Sequence, residues 1–181
     1  ALWPAFGRHN STMLLAYSAG CKQCTLDSNG KHVGLAIGSL PSGSRTGHAE
    51  LQLEFHDLTP AQPIFPWAVE DPTIFVDPDS GFLHIIGHRT GNKGPGAGNI
   101  ASHAVAPSHE GPWRIADVPP YSRDIDWLQP NGSVVTTHVQ KRERPQIIVD
   151  RSGVLVALSN GVRPGNSPTP LSPGGWTSDW T

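Results

Sequence analysis

The chain has 181 residues, of which 20 are glycine and 18 are proline, so turn-forming residues make up roughly a fifth of it. Hydrophobic residues account for 36% and charged residues for 15%, and the 13 basic and 15 acidic side chains give a net charge of −2. This balance disfavours a disordered chain, and it offers no electrostatic basis for binding nucleic acid or an anionic membrane. No apolar run reaches the roughly 18 residues that a transmembrane helix needs, so we expect no partner of either class.

Two cysteines and two glycosylation motifs indicate a secreted or lumenal protein. Cys21 and Cys24 have no third or fourth cysteine to complete a zinc site, so they predict a short-loop disulfide, with two free thiols as the alternative. Asn10-Ser11-Thr12 and Asn131-Gly132-Ser133 both fit the acceptor pattern for N-glycosylation. The chain opens at Ala1 without methionine, and we expect further sequence upstream.

Three segments of the chain align on the prolines at positions 4, 72 and 145. Each proline precedes an apolar run of strand length by about ten residues, and in chain order these runs are Met13–Gly20, Phe82–His88 and Val154–Ser159. Asp77–Gly81 and Asp150–Gly153 predict tight hairpin turns before the last two runs, because glycine adopts the positive φ that such turns need. Further strands are predicted downstream at Val33–Ile37 and Ile100–Val105.

These strand patterns predict an all-β fold, since no segment has the apolar spacing of a capped helix. A unit of three or four short antiparallel strands that recurs about every 70 residues is typical of a β-propeller blade. We therefore predict one partial propeller domain of about three blades, within residues 1–60, 61–118 and 119–175. A β-sandwich is the alternative, because strands and turns alone do not fix closure.

Acidic residues precede two of the aligned prolines. Glu70 and Asp71 stand before Pro72, and Glu143 stands at the equivalent place in the next segment. The innermost strands of a propeller converge on one mouth, where two carboxylates in different protonation states suit cleavage of a glycosidic bond. The alternatives are a surface ion pair between Glu143 and its flanking arginines, and a strand-entry turn at Asp71.

The motifs Val69–Phe75 with Gly81–His88, and Arg142–Asp150 with Asn160–Val162, resemble those of five-bladed β-propeller glycoside hydrolases, in a secreted branch related to families 43 and 32. The resemblance covers roughly residues 3 to 165 and implies cleavage of furanosides or pentosides. It also implies that Asp71 is the carboxylate that orients the substrate and that Glu143 is the general acid.

The same resemblance implies that no cofactor is required. Related propellers sometimes hold a calcium ion in the axial channel near a histidine, for which His138 is the candidate. The base or nucleophile of the family belongs to a first blade that this chain lacks, so the missing blades are expected from the rest of a longer chain or from a partner.

Four more residues near the two motifs are predicted to bind a carbohydrate substrate. Glu70 and Arg144 flank the candidate carboxylates, His88 ends a strand of the second segment, and Trp67 offers an aromatic face to a sugar ring, with core packing as its alternative. We expect the histidines to be hydrogen-bonded core or loop residues, and we predict no metal ligands. The alternative function is a non-catalytic glycan-binding or structural propeller segment.

Overall fold

The computed structural model describes residues 2–4, 12–20, 31–39, 54–59, 63–90 and 100–164. This part of the chain contains twelve β-strands and no helix, which confirms the predicted all-β class. Every strand pair is antiparallel, and each sheet is built from strands that follow one another in sequence.

Among the residues described, there is no helix of the length and apolar character needed to span a membrane.

The first sheet is a meander of four strands, which are β1 (Leu2–Pro4), β2 (Thr12–Gly20), β3 (Lys31–Ser39) and β4 (Glu54–Asp57). Alternate side chains of a strand share a face, so Leu14 and Ala16 on β2 and Val33 and Leu35 on β3 are buried together. The sheet therefore has an apolar face that must be covered by another part of the chain.

The second sheet is also a four-stranded meander, formed by β5 (Val69–Val76), β6 (Leu83–Arg89), β7 (Ala101–Ala106) and β8 (Arg114–Ile115). The predicted turn between β5 and β6 is present: the Gly81 amide donates to the Asp77 carbonyl at 2.8 Å, and Gly81 has a φ of 71°. Six of the seven residues of β6 are buried, all except His84, which makes this strand the interior of the sheet.

The last part of the described chain forms two separate hairpins from β9 (Asp124–Leu128), β10 (Val134–His138), β11 (Lys141–Val149) and β12 (Leu155–Arg163). The β11–β12 hairpin was predicted, and Gly153 in its turn has a φ of 88°. The β9–β10 hairpin was not predicted. Both hairpins expose large apolar side chains, including Leu128 and Val156.

Two apolar clusters join these sheets. The larger one packs the first sheet against the second and contains the buried residues Leu14, Ala16, Val33, Leu35, Ile64, Phe65, Val69, Ile74, Leu83, Ile85 and Ala104. The smaller one, made of Phe75, Ile86, Ala101 and Tyr121, receives Ile147 and Leu158 from the β11–β12 hairpin. Strand β5 consequently contacts β2 on one side and β11 on the other.

The described strands form four separate sheets and no closed ring or barrel. The propeller and its division into blades therefore stay predictions. Strand β5 packs against both β2 and β11, and the two acidic motifs lie on β5 and β11 in this region.

Candidate functional site

The two acidic motifs have the same backbone conformation. On β5 the pairing with β6 shifts register between Glu70 and Thr73, and on β11 the pairing with β12 shifts between Glu143 and Gln146. A proline within each shift cannot donate to the ladder, so a bulge at this point costs no further hydrogen bond. The chain thus forms an equivalent irregularity twice, at Glu-X-Pro.

The residue between glutamate and proline is left-handed in both motifs. Asp71 has a φ of 51° and Arg144 a φ of 54°, and these are the two non-glycine residues with positive φ in the described chain. Such conformations are uncommon for non-glycine residues and require support from the surrounding structure. The structural equivalents are therefore Glu70 with Glu143 and Asp71 with Arg144.

His88 lies between the two equivalent glutamates. Glu70 is directly opposite His88 in the β5–β6 pairing, and β11 packs against both strands. The Nδ1 atom of His88 is 3.6 Å from Oε1 of Glu70, and its Nε2 atom is 4.0 Å from Oε1 of Glu143. The imidazole is buried, and neither nitrogen has a hydrogen-bond partner. The carboxylates of two motifs from different hairpins are thus brought to opposite sides of one ring.

Each glutamate also has a lysine partner. The Nζ atom of Lys31, on β3, is 2.9 Å from Oε2 of Glu70. The Nζ atom of Lys141 donates to Oε1 of Glu143 at 2.9 Å, because residues two apart on β11 share a face. This hydrogen bond lowers the pKa of Glu143, with His88 and Arg144 adding to the effect and burial opposing it.

The ionised state of Glu143 bears on its predicted role. A general acid needs a raised pKa, whereas the surroundings of Glu143 lower it. The strongest influence is Lys141, which the sequence analysis did not consider. Arg142 points away from Glu143, as strand alternation requires, and it bonds Oδ1 of Asn160 at 3.0 Å.

Tyr121, which is buried, packs against the side chain of Arg142. The Arg142 guanidinium lies 4.9 Å from the centre of the Tyr121 ring, a cation–π distance. Burial raises the pKa of Tyr121 to about 12, and the charges of Asp71 and Glu143 contribute in the same direction. The phenol is therefore neutral and cannot act as a base near pH 7.

A cavity of about 380 Å³ opens where β2, β5 and β11 meet. Its lining consists of Leu15, Ala16, Tyr17, Ser18, Asp71, Pro72, Arg144 and Gln146. The two left-handed residues are its only charged lining residues within the described chain. Glu70, His88 and Glu143 do not line it, although the side chain of Glu143 is 28% exposed.

Trp67 is placed by packing contacts. Its Nε1 atom donates to Oγ of Ser102 at 2.8 Å, and the Arg89 guanidinium lies 4.2 Å from its ring centre. It packs on the larger core cluster and does not line the cavity. The alternative considered from the sequence, core packing, describes this position.

The remaining predicted site residues lie away from the cavity or outside the described chain. His138 is exposed on β10, with Nδ1 2.7 Å from Oδ1 of Asp124. Asn131 is exposed in the β9–β10 turn, where Oδ1 accepts from the Ser133 amide at 3.0 Å. Asn10, Cys21 and Cys24 lie outside the described residues, so their glycosylation and disulfide stay predictions.

Three of the residues in this region have a geometry that suits a metal ion. Ligand atoms of Glu70, Asp71 and His88 all lie within 4.8 Å of one another. The mixed oxygen and imidazole set fits a transition metal better than calcium, which prefers oxygen ligands alone. The histidine beside the carboxylates is His88, whereas the sequence analysis had assigned an axial ion to His138. Lys31 is bound to Oε2 of Glu70, so Oε1, which faces His88, is the oxygen of Glu70 left for a cation.

Sequence reasoning missed Lys31, Lys141 and Tyr121. The alternation of β11 was a usable signal for Lys141, since it places residues 141 and 143 on one face. Lys31 and Tyr121 come from segments far from the motifs in sequence, and no local pattern marks them.

Comparison of the chain with protein-family models, with curated proteins and with solved structures gave no match.

Proposed function

We propose that the chain is part of a β-propeller glycoside hydrolase and that the cavity between β2, β5 and β11 binds a sugar at the bond to be cleaved. The observation that carries the proposal is the repeated Glu-X-Pro bulge, which aims Asp71 into the cavity and holds Glu143 beside the same group of residues. Glycosidic bond cleavage needs carboxylates gathered in this way from separate strands.

In this proposal Asp71 orients the sugar, because it lines the cavity and its carboxylate forms no salt bridge among the described residues. Glu143 gives a proton to the leaving oxygen. Since Lys141 keeps Glu143 ionised, the acid role requires that substrate binding separates the two side chains. Without this ion pair, burial would be the largest single influence on the pKa of Glu143. Because burial disfavours the charged form, this pKa would rise.

The first segment contributes no acid at the equivalent position, because Leu2 and Trp3 precede its proline. The base or nucleophile must then come from outside the described residues. In the proposed propeller, a further blade would face the same cavity and could carry this base or nucleophile.

The proposal is tested by hydrolysis of aryl furanosides and aryl pentosides. We expect Glu143→Gln and Asp71→Asn each to reduce kcat/KM by at least about 100-fold. The matched controls are Glu110→Gln and Asp79→Asn, which change exposed carboxylates in turns away from the cavity. Hydrolysis that is unchanged in both site variants would refute the assignment.

A second experiment separates the acid role of Glu143 from a base role. Lys141→Met removes the hydrogen bond that lowers the pKa of Glu143, so this pKa should rise. If Glu143 is the acid, the alkaline limb of the pH profile of kcat/KM moves to higher pH, because the protonated form persists longer. If it acts ionised, the acidic limb moves instead. An unmoved profile would show that Glu143 controls neither limb.

The second candidate function is glycan binding without hydrolysis. It is favoured by the two ion pairs, Lys31 with Glu70 and Lys141 with Glu143, and the second of them lowers the pKa of Glu143, which opposes an acid role. Sugar binding by a chain that hydrolyses none of the glycosides would support it.

A further inference from the structure

Arg144 occupies a position that the fold does not require to be arginine. It is the structural equivalent of Asp71, with the same left-handed backbone and the same place before a buried proline. A long side chain in this conformation costs roughly 1 to 2 kcal/mol compared with glycine. Backbone strain of this kind clusters at active sites and at positions that hold a ligand.

The guanidinium of Arg144 has no ion-pair partner among the described residues, although acidic groups are close. Glu70 is paired with Lys31, and Glu143 is paired with Lys141. Asp71 lines the same cavity but forms no salt bridge with Arg144. Arg142, two residues earlier, is fully engaged with Tyr121 and Asn160.

The cavity therefore contains one cation and one anion that do not neutralise each other. Arginine binds a planar carboxylate through two parallel N–H groups, and it binds sulfate or phosphate oxygens in a similar way. Ser18 and Gln146 also line the cavity and supply uncharged polar groups for sugar hydroxyls, whereas the Tyr17 hydroxyl is already engaged by Asp57 and Thr59. Asp71, which also lines the cavity, carries carboxylate oxygens that can accept hydrogen bonds from hydroxyls.

From this arrangement we infer that the cavity selects an anionic sugar, whose negative group is bound by Arg144 while Asp71 accepts hydrogen bonds from its hydroxyls. The inference rests on the proposed function for the cleavage of the sugar, and it adds the substrate class. A uronoside carries its carboxylate on the ring and is the simplest such substrate. Sulfated and phosphorylated glycosides are also anionic, but their negative charge is on a sulfate or phosphate ester.

The experiment compares aryl uronosides, sulfated aryl glycosides and phosphorylated aryl glycosides with neutral aryl glycosides of matched ring configuration. We expect kcat/KM to favour at least one anionic class over its neutral match by 10-fold or more, as an order of magnitude for a charge-assisted contact. Arg144→Gln should abolish this preference, and Arg144→Lys should keep part of it. Arg151→Gln, in the exposed turn between β11 and β12, is the matched control and should keep all of it.

A binding measurement without turnover complements the kinetics. Isothermal titration with free glucuronic acid, galacturonic acid and the corresponding neutral sugars should show weaker binding of the acids to Arg144→Gln than to the unchanged protein. Circular dichroism of each variant verifies that the sheets are intact, so that a loss of binding is not a loss of fold.

The outcomes separate this inference from the proposed function. Hydrolysis of neutral glycosides that depends on Glu143 but shows no anionic preference overturns only the inference about Arg144. Binding of uronic acids that depends on Arg144, with no hydrolysis of any glycoside, supports the inference and overturns the hydrolytic function. A preference for anionic sugars that Arg144→Gln leaves unchanged overturns the role of this residue.

Discussion

The histidine pair of the second sheet predicts a loss of stability in mild acid. The ring nitrogens Nδ1 of His84 and Nε2 of His103 are 3.0 Å apart, and the two rings are stacked with centroids 5.2 Å apart. The Phe75 ring also stacks on His84, with centroids 4.6 Å apart. Burial lowers the pKa of His103 to about 4, with His84 contributing, and burial also lowers the pKa of His84.

The direction of the pH dependence follows from the number of protons that the folded and the unfolded chain bind. The unfolded His103 titrates near 6.5 and the folded one near 4, so between these values the unfolded chain binds more protons. Stability is therefore complete above pH 6.5 and falls as the pH drops towards 4. A pKa difference of about 2.5 corresponds to a change of about 3 kcal/mol in the free energy of unfolding. Because the His103 ring is partly exposed to solvent, screening reduces the expected change to about 1 to 2 kcal/mol.

The assay is urea unfolding at several pH values between 4.5 and 7.5. The His103→Gln variant lacks the titrating group, so its free energy of unfolding should fall less over this range than that of the unchanged protein, by about 1 to 2 kcal/mol. His109→Gln, in the turn after β7, is the control and should keep the original pH dependence. An identical pH dependence in His103→Gln would refute the reasoning.

Three further predictions concern single side chains. A Cβ atom at Gly34 would overlap the Tyr17 ring, so Gly34→Ala should reduce the free energy of unfolding by about 1 to 3 kcal/mol and disturb the cavity wall. Arg144→Gly relieves the left-handed strain and should raise stability by up to about 1 kcal/mol while abolishing anion selectivity. Trp67→Phe loses the hydrogen bond to Ser102 and should cost about 1 to 2 kcal/mol with little effect on ligand affinity.

Denaturant unfolding and ligand titration measure all three. Gly20→Ala is the control for the first variant, because a Cβ atom at Gly20 meets nothing within 4 Å. Unchanged stability in Gly34→Ala would contradict the packing of the tyrosine. A destabilised Arg144→Gly would contradict the strain argument, and a strong affinity loss in Trp67→Phe would return that residue to the binding site.

Local signals in the sequence were sufficient for most of the longer strands and for two of the turns, but not for the β9–β10 hairpin. Asp77–Gly81 and Asp150–Gly153 have the composition of hairpin turns, and glycines 81 and 153 adopt the positive φ expected of them. Apolar runs of strand length, with no helical spacing of apolar residues, predicted the all-β class, which the structure confirms. These features depend on neighbours a few residues apart, so no long-range information was needed.

The ion pairs of the candidate site were not predictable in this way. Lys31 reaches Glu70 from β3, which belongs to a different sheet, and no sequence pattern links the two. The left-handed conformation of Asp71 and Arg144 was also unexpected, because the residue before a proline favours extended backbone. Both features arise from how β2, β5 and β11 pack, which is a property of the assembled sheets.

The duplicated bulge has a consequence for how this chain can diversify. Residues 71 and 144 have the same left-handed backbone conformation, and both line the cavity. A substitution at either position therefore changes the charge of the cavity and leaves the residues of the apolar core unchanged. Asp occupies one of these two positions and Arg the other. Ligand preference can in this way drift by single codon changes while the sheets keep their register.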